Sequence, residues 1–276
     1  MRTAVTALPR ARRAAGAAGP GALGWLARAG LAARGFVYGI IGVLAIKLAI
    51  GAGGATTNQQ GALQTVAQQP FGKALLVALA VGLAGYALWR LEAAAFGHAS
   101  DGRNRAFDRI AAAGSGLVYA ALCVVAVKVL AGAGAGGGSG APKKATAGVL
   151  GWSGGPELVG IAGVVLVGAG LFQAYKGLTR AFMKESAIAK MAPGLERAFE
   201  ALGVLGHLAR AVVFGLTGYG LLEAAIDFDP RKAIGLDGAL RDLVNASYGP
   251  LLLGIVAAGL ISFALYSIAD ARYHKV

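Results

Sequence analysis

The sequence predicts an all-α membrane protein, with six transmembrane helices from three parallel two-helix repeats, most simply in a pseudo-threefold bundle. Of its 276 residues, 57% are hydrophobic and only 14% are charged, which is too little charge to cover a soluble domain of this size. Six apolar runs are long enough to cross a bilayer core of ~30 Å, for which a helix needs ~20 residues. A string of residues in the first run also recurs twice, which indicates internal repeats.

The apolar runs follow one another along most of the chain. Glycine, with 45 residues, is frequent inside them, as in closely packed membrane helices. The predicted spans are Leu31–Ile50, Phe71–Leu91, Ile110–Leu130, Leu158–Tyr175, Leu202–Ile226 and Pro250–Ile268.

Two alignments define the repeat. Gly35, Gly39 and Gly42 in the first span correspond to small residues in the third and fifth spans, at shifts of 81 and 176 residues. Tyr86 and Trp89 in the second span correspond to aromatic residues in the fourth and sixth, at shifts of 86 and 177. The odd and even spans therefore repeat as pairs.

One membrane domain is predicted, with a disordered cytoplasmic tail at 1–21 and repeats at 22–98, 99–186 and 187–276. With the N-terminus placed inside, 18 of the 26 basic residues fall on the cytoplasmic side, so both termini are expected in the cytoplasm of a bacterial inner membrane. The three pairs are then parallel and related by an axis along the membrane normal, although a linear row is also possible. The net charge of +13 follows this topology and forms no single basic face, so nucleic acid is not an expected partner.

Two outer loops carry a short apolar pattern before the second span of their repeat. Gly61-Ala62-Leu63 in the first repeat matches Gly238-Ala239-Leu240 in the third. Further apolar residues three and four positions after each leucine predict a short interfacial helix. Residues 131–140 are a glycine-, alanine- and serine-rich run that is expected to be flexible.

These motifs resemble a bacterial membrane-protein family known as domain of unknown function 1206. The resemblance covers residues 22–273 as three tandem units, and the first unit is the closest to the pattern. The second unit has Ser115 in place of an arginine, and the third has Phe214 and Ser267 in place of a tyrosine and an arginine. The resemblance implies the architecture and no particular activity. Its motifs are Arg34-Gly35-x-x-Tyr38, Gly61-Ala62-Leu63 ahead of Pro70-Phe71-Gly72, and Gly82-x-x-Gly85-Tyr86-Ala87-Leu88-Trp89-Arg90.

The small residues of the odd spans are expected to pack helices together. Their spacing of four and three places them on one helix face, and small side chains let backbones approach closely in lipid. This predicted packing set is Gly35, Gly39, Gly42, Gly116, Ala120, Gly215 and Gly218.

Lys47, Lys128 and Glu223 share one equivalent position near the outer ends of the odd spans. In one interpretation the two lysines extend their side chains to the outer surface and the glutamate lies at the interface. In the other, all three face the axis, and Glu223 bridges the lysines to line a polar site for an anionic ligand. The sequence leaves both interpretations open.

Other residues are expected at the cytoplasmic interface. Arg34 and Arg210, at the start of the first and fifth spans, are interpreted as contacts to lipid phosphates, with a cytoplasmic anion site as the alternative. Trp89, Tyr175 and Tyr266 lie near the ends of the even spans, where aromatic rings commonly anchor a helix at the membrane surface.

Ser115 and His207 are residue types that an intramembrane serine hydrolase would use, near one membrane face. The Gly-x-Ser-Gly motif is incomplete, however, because Ala113 replaces its first glycine. No cluster of histidine, cysteine and carboxylates has metal-ligand spacing. The chain is therefore predicted not to be an enzyme and to hold no cofactor or metal.

The predicted function is that of a non-enzymatic, multi-pass inner-membrane protein that binds lipid or protein partners. The lipid bilayer, other membrane proteins and further copies of this chain are its expected partners. A small-solute transporter or channel with a polar site on the repeat axis is the alternative, and an intramembrane serine hydrolase is the remote one.

Overall fold

The computed structural model of the chain describes residues 20–52, 59–70, 72–96, 105–132 and 141–274. Within these ranges the chain is almost entirely helical, and no strand is formed beyond one isolated bridge between Ser186 and His274. The helices are α1 (Pro20–Ala49), α2 (Gln59–Ala67), α3 (Gly72–Phe96), α4 (Arg105–Leu130), α5 (Ala141–Leu150), α6 (Gly155–Leu178), α7 (Pro193–Ile226), α8 (Leu236–Asn245) and α9 (Gly249–Tyr273).

Six of these helices are long and apolar enough to cross a membrane, namely α1, α3, α4, α6, α7 and α9. The predicted all-α membrane fold with six spanning helices is confirmed. Several helices are longer than their predicted spans, because helix-favouring alanine, leucine and charged residues continue the helix beyond the apolar run. Prolines in the first turns of α6, α7 and α9 have a fixed φ that suits a helix start. Most of the predicted tail (1–19) and of the predicted flexible run (133–140) lies outside the described residues.

The spanning helices form a ring in which the three most extensive pairings each join two different repeats. Helix α3 packs on α4, α6 packs on α7, and α9 packs on α1. Counted along the six spanning helices, α1, α4 and α7 are the odd helices and α3, α6 and α9 are the even helices. The even helix of each repeat therefore lies against the odd helix of the next. The contact between α9 and α1 joins the third repeat to the first. This pattern is a pseudo-threefold bundle and not a linear row.

Small residues on the odd helices lie at these inter-repeat contacts. A Cβ atom at Gly35 would fall 2.8 Å from the carbonyl oxygen of Ala264 on α9, and one at Gly42 would fall 2.6 Å from a side-chain carbon of Ile261. Gly116 lies equally close to Leu91 on α3, and Gly218 to the backbone of α6. The middle positions are roomier: Gly39 would place its Cβ an ordinary 3.5 Å from Ala264, Gly215 would meet nothing within 4 Å, and Ala120 is half-buried.

A short helix precedes the even helix of every repeat. Helices α2 and α8 form where the sequence predicts them, and α5 is a third that the motif does not reveal. Gly72, Gly155 and Gly249 begin the three even helices, and a Cβ at each would fall about 2 Å from a carbonyl oxygen of the preceding short helix. The same close turn is therefore used three times.

The ring is not equally closed all round. Within the residues that the structure describes, no extensive contact joins α4 to α6, which are the two spanning helices of the second repeat. In the most apolar stretch of each helix, only 11% of the residues of α4 and 22% of those of α6 are buried inside the protein, against 56% for α1. The bundle therefore has an opening between α4 and α6.

The aromatic residues near the ends of the even helices have three different environments. Tyr175 is 58% exposed, as expected for an interface anchor. Tyr266 is only 2% exposed and packs against Phe199 and His207, so its prediction as an anchor is wrong. Trp89 is half-buried and faces the site described next. Tyr266 is buried because the Phe182–Phe199 segment folds over this end of α9.

Candidate functional site

A cavity of about 250 Å³ lies inside the ring, towards the end of the bundle at which α3, α6 and α9 finish. All three repeats contribute to its lining. We call it the basic cavity, because it is lined by Arg34, Arg90, Lys176 and Arg210 but by only two carboxylates, Glu185 and Asp270. With neutral histidines its lining carries an excess of two positive charges.

Arg34 projects from α1 into the basic cavity, and only 12% of its side chain is exposed. Its Nη2 lies 3.9 Å from Oδ2 of Asp270, which is a long ion pair. Its Cζ lies 5.0 Å from the centre of the Phe263 ring, and its buried Nε has no hydrogen-bond partner in the structure. This guanidinium therefore has donor capacity that the protein does not use.

Arg210 is the equivalent residue of the third repeat and reaches the same cavity from α7. Its Cζ lies 4.4 Å from the centre of the Phe263 ring, so one aromatic ring contacts both arginines. With the amide of Gln173 turned so that its oxygen faces the guanidinium, that oxygen accepts a hydrogen bond of 2.6 Å from Nη1. Arg210 is thus held by an amide and by aromatic faces, and no carboxylate of the described residues pairs with it.

A basic group over an aromatic ring recurs in each repeat. Tyr86, Phe172 and Phe263 occupy one equivalent position on the even helices. Arg90 lies 5.5 Å from the Tyr86 ring centre and Lys176 lies 5.9 Å from that of Phe172. Such cation–π contacts orient a basic side chain without neutralising its charge.

The basic groups differ in their ionic partners. Lys176 Nζ donates a hydrogen bond of 2.6 Å to Glu185, while Arg90 Nε donates one of 3.2 Å to the Tyr86 hydroxyl. Among the described residues, no carboxylate is ion-paired with Arg90 or Arg210. The unbalanced positive charge of the cavity is carried mainly by these two arginines.

Asp270 joins the end of α9 to the segment that follows α6. Its Oδ1 accepts a hydrogen bond of 2.7 Å from the Ser186 hydroxyl and lies 3.1 Å from Nδ1 of His274. The backbone N–H of Ala187 also donates to the carbonyl of Tyr273 at 2.7 Å. These contacts hold the wall of the cavity in place around Arg34.

Ser115 and His207 both line the basic cavity, so the structure brings this predicted pair to one site. No hydrogen bond joins them in the part of the chain that the structure describes. The Nδ1 atom of His207 lies 2.8 Å from the carbonyl of Gly203, and its ring stacks on Phe182. Ser115 takes the position that Arg34 and Arg210 hold in the other repeats.

No hydrogen bond or ion pair joins Lys47, Lys128 and Glu223 to one another among the described residues. Both lysine side chains are exposed, whereas Oε1 of Glu223 lies 3.9 Å from Nζ of Lys232 in the loop between α7 and α8. The hydrogen bond to Asp227 raises the pKa of the Lys232 ammonium, and hydrogen bonds from Arg231 hold the pKa of Asp229 below its usual range. An axial site formed by Lys47, Lys128 and Glu223 stays a prediction.

A second cavity of about 160 Å³ lies further along the axis, towards α8. It is mostly apolar, and Arg210 lines both cavities. Its other lining residues are Tyr38, Leu166, Val213, Phe214, Thr217, Leu236 and Leu260.

The sequence identifies Arg34 and Arg210 but not their surroundings. Gln173 and Asp270 are missed, because nothing in their local pattern shows that α6 and α9 turn these residues towards the axis. One signal was available: Arg90 and Lys176 align in the repeat. Two odd and two even helices each contribute one basic residue near the same end of the bundle. Once the helices are known to form a ring, these four residues indicate a shared site.

The fold and cavity define a class: a six-helix membrane protein of three tandem two-helix units around a basic axial cavity. The chain belongs to the family described as Domain of Unknown Function (DUF1206), whose model matches at residues 29–97, 110–180 and 205–274. It is also similar to the Uncharacterized protein YxxB of Bacillus subtilis (strain 168), with 36% identity over 252 residues, 90% of each chain. No solved structure matches it. The predicted family and its three tandem repeats are thereby confirmed.

Proposed function

We propose that the protein is a non-enzymatic membrane protein that binds an anionic group, a phosphate or a carboxylate, in the basic cavity. The observation that carries this proposal is that Arg34 and Arg210, from equivalent positions of two repeats, enter one cavity in which basic residues outnumber carboxylates by two. A bound anion offsets that excess of charge.

Energetics support a bound anion. A charge removed from water costs several kcal/mol unless it is paired, and this cost is high inside a membrane bundle. The guanidinium groups of arginine present several N–H donors in a planar fork that matches phosphate or carboxylate oxygens. The unused Nε of Arg34 and the rings that orient Arg210 leave donors available to such a ligand.

The volume of the cavity limits the size of the ligand. Sites for drug-sized molecules usually have ~300–1,000 Å³, so about 250 Å³ suits a single phosphate-bearing headgroup or a small anion. The charge bias of the chain supports an orientation in which this end of the bundle and both termini lie in the cytoplasm.

The arrangement of serine and histidine supports a role without catalysis. A serine nucleophile needs a histidine to accept its proton, with the carboxylate behind the histidine. In the Ser186, Asp270 and His274 group the carboxylate stands between the other two, so the histidine does not face the serine hydroxyl. Ser115 and His207 share a cavity, but no hydrogen bond of the described structure joins them.

Thermal unfolding of the detergent-purified protein tests the proposal. We expect inorganic phosphate to raise the Tm of the wild type relative to chloride at equal ionic strength, because a ligand of the folded state stabilises it. Arg90→Gln and Lys176→Gln should reduce this shift. Arg197→Gln is the matched control, because Arg197 is an exposed residue near the start of α7 that does not line the cavity. Equal shifts in all four proteins, or no shift in the wild type, would contradict an anion site here.

A small-solute transporter is the second candidate, favoured by the two cavities that share Arg210 along the axis. In that function Arg210 closes the path between them. Uptake of radiolabelled phosphate into proteoliposomes tests this directly. Uptake above that of protein-free vesicles would favour transport, and binding without uptake would favour the first function.

A further inference from the structure

We infer that the anionic group belongs to a membrane lipid, which reaches the basic cavity through the opening between α4 and α6. The inference rests on the proposed function and names the source of the anion. Three features of the described residues carry it: the opening itself, the residues at its edge, and the change from basic to apolar lining along the axis.

The opening places the cavity beside the bilayer. Every other pair of neighbouring spanning helices in the ring packs together, but α4 and α6 do not pack extensively where the structure describes them. Ser115 and Tyr119 on α4 and Gln173 on α6 nevertheless line the same cavity. A ligand between these helices therefore lies at the lipid-facing side of the bundle.

The edge of the opening lacks a basic side chain that the repeat would place there. Position 115 on α4 is equivalent to Arg34 and Arg210 but carries a serine. The small side chain leaves space on this side of the cavity and removes one positive charge. On the other edge, Phe172 lines the cavity and is 43% exposed, so an apolar ring lies where a lipid chain would enter.

The lining changes along the axis as a lipid does along its length. The basic cavity lies near one end of the spanning helices, at the depth of a headgroup. Beyond Arg210 the second cavity is lined mainly by apolar residues, including Leu166 and Val213. The outer faces of α4 and α6 are also apolar, with Val118 and Val164 about 60% exposed. A lipid with its headgroup at the arginines and its acyl chains beside α4 and α6 places each of its parts against a surface of matching polarity.

Tryptophan quenching provides the test, because Trp89 lines the basic cavity. The other two tryptophans, Trp25 and Trp152, are 74% and 65% exposed and can be replaced by phenylalanine. The protein that keeps only Trp89 is reconstituted into phosphatidylcholine vesicles containing a minor fraction of phosphatidylglycerol. One of the two lipids carries bromine atoms in the part of its acyl chains next to the headgroup, where they quench a tryptophan that lies close to the headgroup site.

We expect brominated phosphatidylglycerol to quench Trp89 at a lower mole fraction than brominated phosphatidylcholine does. Arg90→Gln and Lys176→Gln should each weaken this preference by about fivefold, the effect of one basic group at a membrane surface. Arg197→Gln should leave it unchanged. The Tm of each variant in detergent shows whether it is folded.

The outcomes separate the inference from the function on which it rests. Equal quenching by the two lipids, together with a phosphate-dependent Tm shift, would overturn the lipid as the source and leave the anion site intact. Equal quenching without any phosphate effect would overturn both. A lipid preference that Arg197→Gln reduces as much as Arg90→Gln would place the lipid on the outer basic surface and would also overturn the inference.

Discussion

At the scale of single residues, the basic cavity depends on how its arginines are held. Phe263 contacts both Arg34 and Arg210, and a Cβ at Gly206 would fall 2.6 Å from the Cα of Phe263, so α7 and α9 approach closely at this point. Close packing at Gly206 thus fixes the aromatic ring of Phe263, which orients the two arginines. Packing and charge are coupled at this one position.

Asp270 is expected to be a major contributor to stability at the basic end. Asp270→Asn removes the charge next to Arg34 while keeping the side-chain size, and breaking a buried ion pair in this way costs about 3 kcal/mol. Chemical unfolding in mixed detergent micelles measures the change. Ser262→Ala, which loses a hydroxyl that bonds only within its own helix, is the control with little expected effect. Equal stability of Asp270→Asn and the wild type would show that this ion pair is not stabilising.

The glycines of α1 are not equivalent, and substitution should show it. Gly35→Ala places a methyl group 2.8 Å from a backbone oxygen of α9, and overpacking of this kind costs about 1–3 kcal/mol. Gly39→Ala makes an ordinary contact at 3.5 Å and should be near neutral. The Tm values of the two variants in detergent test this pair. A larger loss at Gly39 than at Gly35 would contradict the packing of α1 on α9.

The residue scale is also where prediction from the sequence is least complete. Spacing alone puts Gly35, Gly39 and Gly42 on one face, but the crossing point of α9 decides which of them has no room. Likewise Arg34 is visible in the sequence as a basic residue, whereas its partner Asp270 is more than two hundred residues away. Such pairings depend on how the six helices are arranged in the bundle, which the local sequence pattern does not reveal.

At the scale of elements, the short helices fasten each even helix to the bundle. Helices α2 and α8 are predicted by their Gly-Ala-Leu triplets, and Leu63 and Leu240 within them are fully buried. In α5 the buried Thr146 takes the equivalent place, so the apolar pattern that identifies the other two is absent. Helix α5 forms although this apolar pattern is absent, because the close turn at Gly155 is the same as the turns at Gly72 and Gly249.

Truncation of a buried leucine in α8 should therefore destabilise the protein. Leu240→Ala removes a fully buried side chain of the core, and changes of this kind cost about 2–5 kcal/mol. Leu251→Ala, at a site that is 65% exposed at the start of α9, is the matched control and should cost less than about 0.5 kcal/mol. Chemical unfolding measures both, and similar losses would contradict the position of α8 against the core.

At the scale of the whole molecule, the repeats predict the ring, whereas the ring's opening could not be predicted. Six spans and a threefold repeat predict a closed bundle as the simplest arrangement, with a linear row as the alternative. Contact between α9 and α1 decides for the bundle, and the weak pairing of α4 with α6 is a feature of the second repeat alone. Ser115 is one local departure that marks this repeat in the sequence, and Thr146 in place of a leucine is another.

Disulfide cross-linking distinguishes the ring from the row. In a protein with Cys123→Ser, the pair Gly39→Cys and Ala264→Cys should cross-link on oxidation, because the two Cβ positions are 3.5 Å apart. Gly160→Cys with Ala225→Cys, at 3.7 Å, tests the second and third repeats in the same way. A linear row would give the second cross-link but not the first. Gly39→Cys with Leu265→Cys is the negative control, because Leu265 is half exposed on the neighbouring face of α9.

The central claim is that three repeats surround one anion site, and a cryo-electron microscopy map of the protein in nanodiscs containing phosphatidylglycerol tests it most directly. We predict density for a phosphate group inside the basic cavity, within hydrogen-bond distance of Arg34 or Arg210. Acyl-chain density should continue from it between α4 and α6. A well-resolved map in which these arginines contact only protein groups, with lipid confined to the outer surface, would contradict the account.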